Sequence, residues 1–342
     1  MSRLAALRII RADSPSSTNP KNTHRRIHHA LLPVIEALEV HQLLSSYIWQ
    51  NLSGSFANWN STTNWTPSTG YPNSSADSAN FNVGITTSQA ISLGTNVTVN
   101  SLLLGASGRS GQTETINSGN TLTFNNGSSP ASLTLVSGAT AGATIAASIS
   151  LSSNLTITNN SSQTLTISGK ISLSGHTLTV AGNGPVVLSG AVSSSSPTSI
   201  IKQGNGTLTL SGTSDNSYLV LDAEGGTTIL NKTSSSSVHA VAGISNIATG
   251  ATVQLSGPGG DQIYDGSAYN VTLGGGTLDM AGKSESFNIL AGNGTVTDSS
   301  ATASTLTIGR IKGDASLYTA RRIKGDAGEL KVTRAFTRLE HG

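Results

Sequence analysis

Through residues 84–308 the chain alternates apolar and hydroxylated positions in short bursts. Val97-Thr98-Val99, Thr121-Leu122-Thr123-Phe124, Ser132-Leu133-Thr134-Leu135, Asn154-Leu155-Thr156-Ile157, Thr164-Leu165-Thr166-Ile167 and Thr177-Leu178-Thr179-Val180 are examples. A period of two places the Leu, Ile and Val side chains on one face of a strand and the Thr and Ser side chains on the other. Leu122 to Leu133, Leu155 to Leu165 and Leu165 to Leu178 are 11, 10 and 13 residues apart, with Gly, Asn or Ser breaks between the units. No amphipathic pattern of helical length intervenes. Strands this short cannot bury their apolar faces alone, so copies must stack.

Two all-β architectures accept such strands: an antiparallel sandwich and a parallel β-helix. Three features favour the β-helix. The repeat persists over most of the chain, which a sandwich does not require. Two-residue Asn-Gly hairpin turns are not consistently placed between strand pairs. The outward positions are almost all Thr, Ser and Asn. Equivalent positions in a β-helix stack about 4.8 Å apart, where like charges repel and neutral hydroxyls and amides do not. With two to three strands per coil, each coil takes roughly 20–25 residues, and the body makes a rod of about ten coils, on the order of 50 Å long.

The most regular copy spans 199–212, Ser-Ile-Ile-Lys-Gln-Gly-Asn-Gly-Thr-Leu-Thr-Leu-Ser-Gly. Gly204 and Gly206 flank Asn205 in a turn. Leu208 and Leu210 face one way, Thr207 and Thr209 the other, and Gly212 closes the unit. This stretch resembles the autotransporter-associated β-strand repeat, a run of Leu/Ile-x-Lys-x-Gly-x-Gly-Thr-Leu-Thr-Leu-Ser-Gly, with Ile200, Lys202, Gly204, Gly206, Thr207, Leu208, Thr209, Leu210, Ser211 and Gly212 matching. The resemblance extends more loosely over 49–309. It implies a right-handed parallel β-helix in a large exported or surface protein, and a repeat that acts as scaffold without catalytic residues. Lys202 is expected at a solvated corner.

The aromatic residues are concentrated at 47–83. Trp49, Trp59 and Trp65 are the chain's three tryptophans, and Tyr47, Phe56, Tyr71 and Phe81 join them. Trp faces can stack on sugar rings. The favoured reading is a cap, because the first coil of a solenoid exposes an apolar cross-section that must be covered. The predicted organisation is therefore a basic leader at 1–47, an aromatic N-terminal cap at 48–83, β-helix repeats at 84–309 and a basic divergent tail at 310–342.

Charge separates the ends from the body. The 342 residues carry 19 Lys and Arg against 17 Asp and Glu, a net +2. Between 48 and 308 only Arg109, Lys170, Lys202, Lys232 and Lys283 are basic, against ten acids. A body so poor in basic residues is not built for nucleic acid. No run of about 18 apolar residues is present to cross a membrane as a helix. The absence of cysteine excludes disulfides and thiolate chemistry.

The leader has a helical apolar spacing after Pro33, through Val34, Ile35, Leu38 and Leu43, so disorder or a short helix is expected there. Leu38-Glu39 and Leu43-Leu44-Ser45 partly match a leader motif of planctomycete surface proteins, with Val40-His41 replacing its Pro-Arg. This resemblance implies export. His24, His28 and His29 read as a solvated basic patch rather than a metal site. In the tail, Arg310-Ile311-Lys312-Gly313-Asp314-Ala315 recurs at 322–327, and 330–339 is basic with helical character. The tail reads as a polar C-terminal cap, a truncated gene product or a frame-shifted reading, with truncation favoured. Truncation would leave the last coil open to self-association.

Chemistry is sparse. β-Helical glycan lyases and hydrolases need clustered carboxylates or a metal with a basic residue on one face. The local acid pairs are Asp222/Glu224 and Asp261/Asp265. The second lacks the acid density of a Ca²⁺ loop. His176 and His239 read as isolated, with no acid or serine constellation that spacing singles out. The glycine runs at 257–260 and 274–276 lack the following helix of a phosphate loop and read as turns. No catalytic, cofactor or metal residues are assigned. The expected function is a non-enzymatic structural or adhesive rod of an exported, extracellular cell-surface protein, with cell-surface glycans or other copies of the chain as partners. The alternative is a glycan-binding or glycan-cleaving β-helix, which clustered carboxylates and exposed aromatics in a groove would favour.

Overall fold

The computed structural model describes residues 45–105, 111–312 and 330–334, the last five by backbone alone. The helix expected after Pro33, the histidines at 24, 28 and 29 and the copy at 322–327 lie outside the described residues. The chain is all-β, a parallel β-solenoid of about ten turns.

Three sides make up each coil. The first side stacks Asp77–Asn80, Ser101–Leu104, Ala131–Leu135, Leu155–Asn159, Leu178–Gly182, Thr198–Lys202, Leu219–Ala223 and Gly243–Ile247, each parallel to the next. The second runs from Gln89–Ser92 through Glu114–Ile116, Ala143–Ile145, Leu165–Ile167, Val186–Leu188, Thr207–Gly212 and Thr227–Lys232 to Thr252–Leu255. The third is a separate five-stranded sheet of Val97–Val99, Thr121–Phe124, Ser148–Leu151, Ile171–Ser172 and Val192–Ser193.

In-register pairing turns the period-two pattern into ladders. Leu155, Leu178, Ile200, Leu221 and Ile244 lie on one another along the first side. Ile116, Ile145, Ile167, Leu188, Leu210, Leu230 and Leu255 do the same along the second. All are buried. Each such side chain contributes roughly 1.5–3 kcal/mol by leaving water. On the outer face of the third side, Thr98, Thr123, Ser150, Ser172 and Ser193 form a hydroxyl ladder.

At 274–276 the glycines do not make the expected turn. They lie inside the long strand Asn270–Asp279, where the pairing slips between Gly274 and Thr277. Gly275, at φ 99°, supplies the backbone for that bulge. The helical character expected of 330–339 is also overturned at its start. Leu330–Arg334 is a strand paired with Ser304–Lys312. Its Leu-Lys-Val-Thr-Arg order alternates at period two, and an available sheet edge decides the conformation.

At the other end the chain doubles back. Trp65–Thr66 pairs antiparallel with Ser45–Trp49, which pairs on its other side with Asp77–Asn80. Trp49, Trp59, Trp65 and Phe81 are at most 1% exposed and pack with ring centroids 4.8–5.4 Å apart. Every indole N–H is satisfied. Trp49 donates to Gln89 Oε1 at 2.8 Å, Trp59 to Pro72 O at 2.9 Å and Trp65 to Trp59 O at 2.6 Å. Buried faces cannot stack on a sugar. Trp59→Ala should therefore cost about 3–5 kcal/mol of stability. Chemical denaturation would read it as a lower midpoint, and an unchanged midpoint would contradict the packing role.

Candidate functional site

The repeat signature is a device for stacking turns. Lys202 is aligned between Val180 and Ala223 on the inner face of the first side. It is 1% exposed, which corrects the expectation of a solvated corner. Its Nζ donates to Gln203 O at 2.8 Å, Gly204 O at 2.9 Å and Gly225 O at 3.2 Å. Three carbonyls match the three donors of an ammonium. Two successive turns thus have their inward carbonyls satisfied by one side chain, and burial lowers its pKa to about 8. Gly204 and Gly206 sit directly over the backbone of Gly182 and Gly184. A Cβ on Gly206 would overlap Gly184 O, and Gly204 also needs φ 70°. Thr207 and Thr209 point outward, Leu208 and Leu210 inward, and Gly212 at φ 89° ends the strand.

Above Val192–Ser193 the third side loses its regular strands, and polar side chains take over the pairing. Asn216 is buried; its Oδ1 accepts from Val192 N at 2.8 Å and its Nδ2 donates to Ala240 O at 2.9 Å. Gln262 brackets Lys232, with Oε1 accepting from its N–H at 3.0 Å and Nε2 donating to its carbonyl at 2.7 Å. Glu285 Oε2 in turn accepts from Gln262 N at 2.7 Å. A side-chain amide offers the same donor and acceptor as a peptide, so it completes a ladder where backbone is missing.

On the outside of this irregular stretch is a cavity of about 330 Å³, walled by Asp215, Tyr218, Ser237, His239, Tyr264 and Tyr269 among others. Asp215 Oδ1 accepts from the His239 backbone N–H at 2.8 Å and lies 3.1 Å from His239 Nδ1. His239 Nε2 is 3.5 Å from Asp261 Oδ1. The imidazole meets Tyr264 edge to face at 5.1 Å, and Tyr264 meets Tyr269 at 6.2 Å. Burial raises the Asp261 pKa, the His239 charge opposes that, and Asp265 adds to it. Both imidazole nitrogens face carboxylates, so neither is set on a hydroxyl as a base would be. Among the described residues no cluster of three His, Cys, Asp or Glu side chains is placed to hold a metal.

His239 is thus not isolated, contrary to expectation. Its carboxylate partners, Asp215 and Asp261, lie about one coil away on either side. Reading the sequence at the coil period near residue 239 would have found them. Of the acid pairs singled out from sequence, Asp222 accepts from Asn246 Nδ2 at 3.2 Å and Glu224 from Gln203 Nε2 at 2.7 Å, each an amide of the adjoining coil. Asp265 accepts from Ser286 Oγ at 3.0 Å. The run 257–260 turns between coils, and Gly259 has φ 94°.

Comparison of the chain with protein-family models, curated proteins and solved structures finds no match. Fold and site define it by themselves as a β-solenoid with a polar, tyrosine-walled groove on one side.

Two expected outcomes follow from these contacts. Gly206→Ala should destabilise the chain by several kcal/mol, because the Gly184 carbonyl must move; Gly138→Ala, where nothing lies within 4 Å of the added carbon, should be nearly neutral. Equal thermal shifts in the two variants would refute the stacked-turn reading. The second concerns pH. Burial raises Glu114 from 4.5 to about 7 and Glu285 from 4.5 to about 8. The folded chain then holds protons that the unfolded chain has released between pH 4.5 and about 7–8. Stability should fall by a few kcal/mol as pH rises through that window. Buried Lys202 and Lys232, each lowered from 10.5 to about 8, act oppositely: stability recovers as pH rises from about 8 to 10.5. Calorimetry of the wild type and Glu114→Gln at pH 5 and 7.5 tests the first limb. A pH loss no smaller in the variant would exclude Glu114 as a source.

Proposed function

We propose that this chain is a scaffold, the β-helical rod of an exported cell-surface protein, with no catalytic chemistry of its own. The observation that carries this reading is the stacking of inward aliphatic ladders under outward ladders rich in Thr and Ser. Such a surface is long and poor in charge, which suits a spacer or a display element. The match of 200–212 to the autotransporter-associated repeat supports it, as does the role of Lys202 and the glycines in piling coil on coil. The partial likeness of 38–45 to a planctomycete surface-protein leader supports export. The setting of His239, with Nδ1 on Asp215 and Nε2 3.5 Å from Asp261 rather than on a hydroxyl, supports a non-enzymatic body.

Protease shaving of intact producing cells, followed by detection of fragments from 84–309, tests the location. Fragments should be released while a cytoplasmic control protein stays intact. Protection on intact cells with recovery only after lysis would overturn the surface assignment. Incubating the purified chain with a panel of polysaccharides should release no new reducing ends. Their appearance, and its loss in Asp215→Asn, would make the groove an active site.

A further inference from the structure

The cavity beside His239 departs from the hydroxyl ladders of the outer surface. Three of the chain's six tyrosines, Tyr218, Tyr264 and Tyr269, meet there. Tyr218 and Tyr264 are among the exposed large apolar side chains, at 47% and 44%. Tyr218 holds φ 61°, a conformation that a non-glycine residue adopts only where its surroundings impose it. Elsewhere among the described residues the large aromatics are buried or half-buried, as Tyr47 and Tyr71 are, or, like Phe56 at 79%, exposed but not part of this cavity's wall.

The wall is fixed before any ligand arrives. Asp215 holds the His239 ring at Nδ1, Asp261 Oδ1 lies 3.5 Å from Nε2, and the imidazole and the Tyr264 ring pack edge to face. Side chains already locked lose little entropy on binding. The Asp215 side chain remains 31% exposed. Its Oδ2 takes one hydrogen bond, from Ser217 Oγ at 2.8 Å, and a carboxylate oxygen can accept a second. Hydroxyls of Ser217, Ser236 and Ser237 line the same space.

We infer that this groove is a sugar-binding site, taking a neutral or amino-substituted hexose unit whose apolar face lies on the tyrosine wall and whose hydroxyls donate to Asp215. A pyranose presents a flat C–H face and a ring of donors, and the groove pairs an aromatic face with an acceptor edge. The aromatic quadrupole is negative over the ring and attracts that C–H face. A cavity of about 330 Å³ is at the small end of ligand sites, suited to one or two rings. Asp215, Asp261 and Asp265 place negative charge at or near the groove, so uronate and sialic acid residues are disfavoured. The inference stands on the groove and does not depend on where the rod resides.

The test is isothermal titration with saturation-transfer NMR on the purified full chain. The probes are glucose, galactose, mannose, N-acetylglucosamine, glucosamine, their β-linked disaccharides and galacturonic acid. At least one neutral or amino sugar should bind, and galacturonic acid should bind about 10-fold more weakly or not at all. Tyr264→Ala should weaken the sugar about 10-fold, the value of one aromatic contact, with its unfolding temperature unchanged. Phe56→Ala, which removes an exposed ring away from the groove, should leave binding as it was. No binding across the panel, preference for galacturonic acid, or binding indifferent to a folded Tyr264→Ala would overturn the inference. If Tyr264→Ala fails to fold, Tyr218→Ala takes its place under the same criteria.

Discussion

Each residue of a coil sits on its counterpart one coil away, and that in-register stacking governs the molecule. Parallel pairing sets neighbouring coils about 4.8 Å apart, so a side chain's principal neighbour is its own equivalent. Aliphatic chains tolerate this well, and they fill the inner positions. Charges of one sign do not, and hydroxyls fill most of the outer positions, with aliphatic exceptions such as Val187 and Ile201. Turns stacked at the same spacing leave no room for a Cβ, hence Gly204 and Gly206 above Gly182 and Gly184. Several charged groups follow the same rule, met by a neutral or opposite neighbour from the next coil. Glu224 with Gln203, Asp222 with Asn246 and His239 between Asp215 and Asp261 are cases.

The same constraint explains what could be read from the chain. Strand existence and facing are local properties, so Thr-Leu-Thr-Leu at 207–210 announces a strand and its buried side directly. The turn glycines Gly204 and Gly206 and the tryptophan cluster were legible for the same reason, whereas the run at 274–276 was not. Contacts between coils were not, because they depend on a coil length that varies. Val180 lies under Lys202 and Lys202 under Ala223, yet nothing in the local sequence says that a lysine belongs among apolar residues. Its burial follows from turn carbonyls that only the folded stack brings together. His239 was hidden in the same way. Leu330–Arg334 failed differently, since a short basic stretch takes the conformation its neighbour offers.

Where the third side gives up its strands, the molecule acquires individuality. Backbone groups left without partners must be satisfied, and Asn216, Gln262 and Glu285 do this with side chains. The irregular chain outside them no longer has to present a hydroxyl ladder. Tyrosines and an exposed carboxylate occupy it instead. Regularity stabilises the rod, and its local loss supplies a place where side chains of different chemistry converge.

Register has an evolutionary corollary. Leu155, Leu178, Ile200 and Leu221 are interchangeable steps of one ladder. A duplication or deletion of one whole coil between them would rejoin like to like and keep both flanking halves paired. A loss of half a coil would misalign every side beyond it. Between Leu155 and Leu221 whole coils can therefore be exchanged, while the tryptophan cluster and the groove coils, each built from unlike neighbours, offer no like step to rejoin. Rod length is the trait such a lineage can vary most freely.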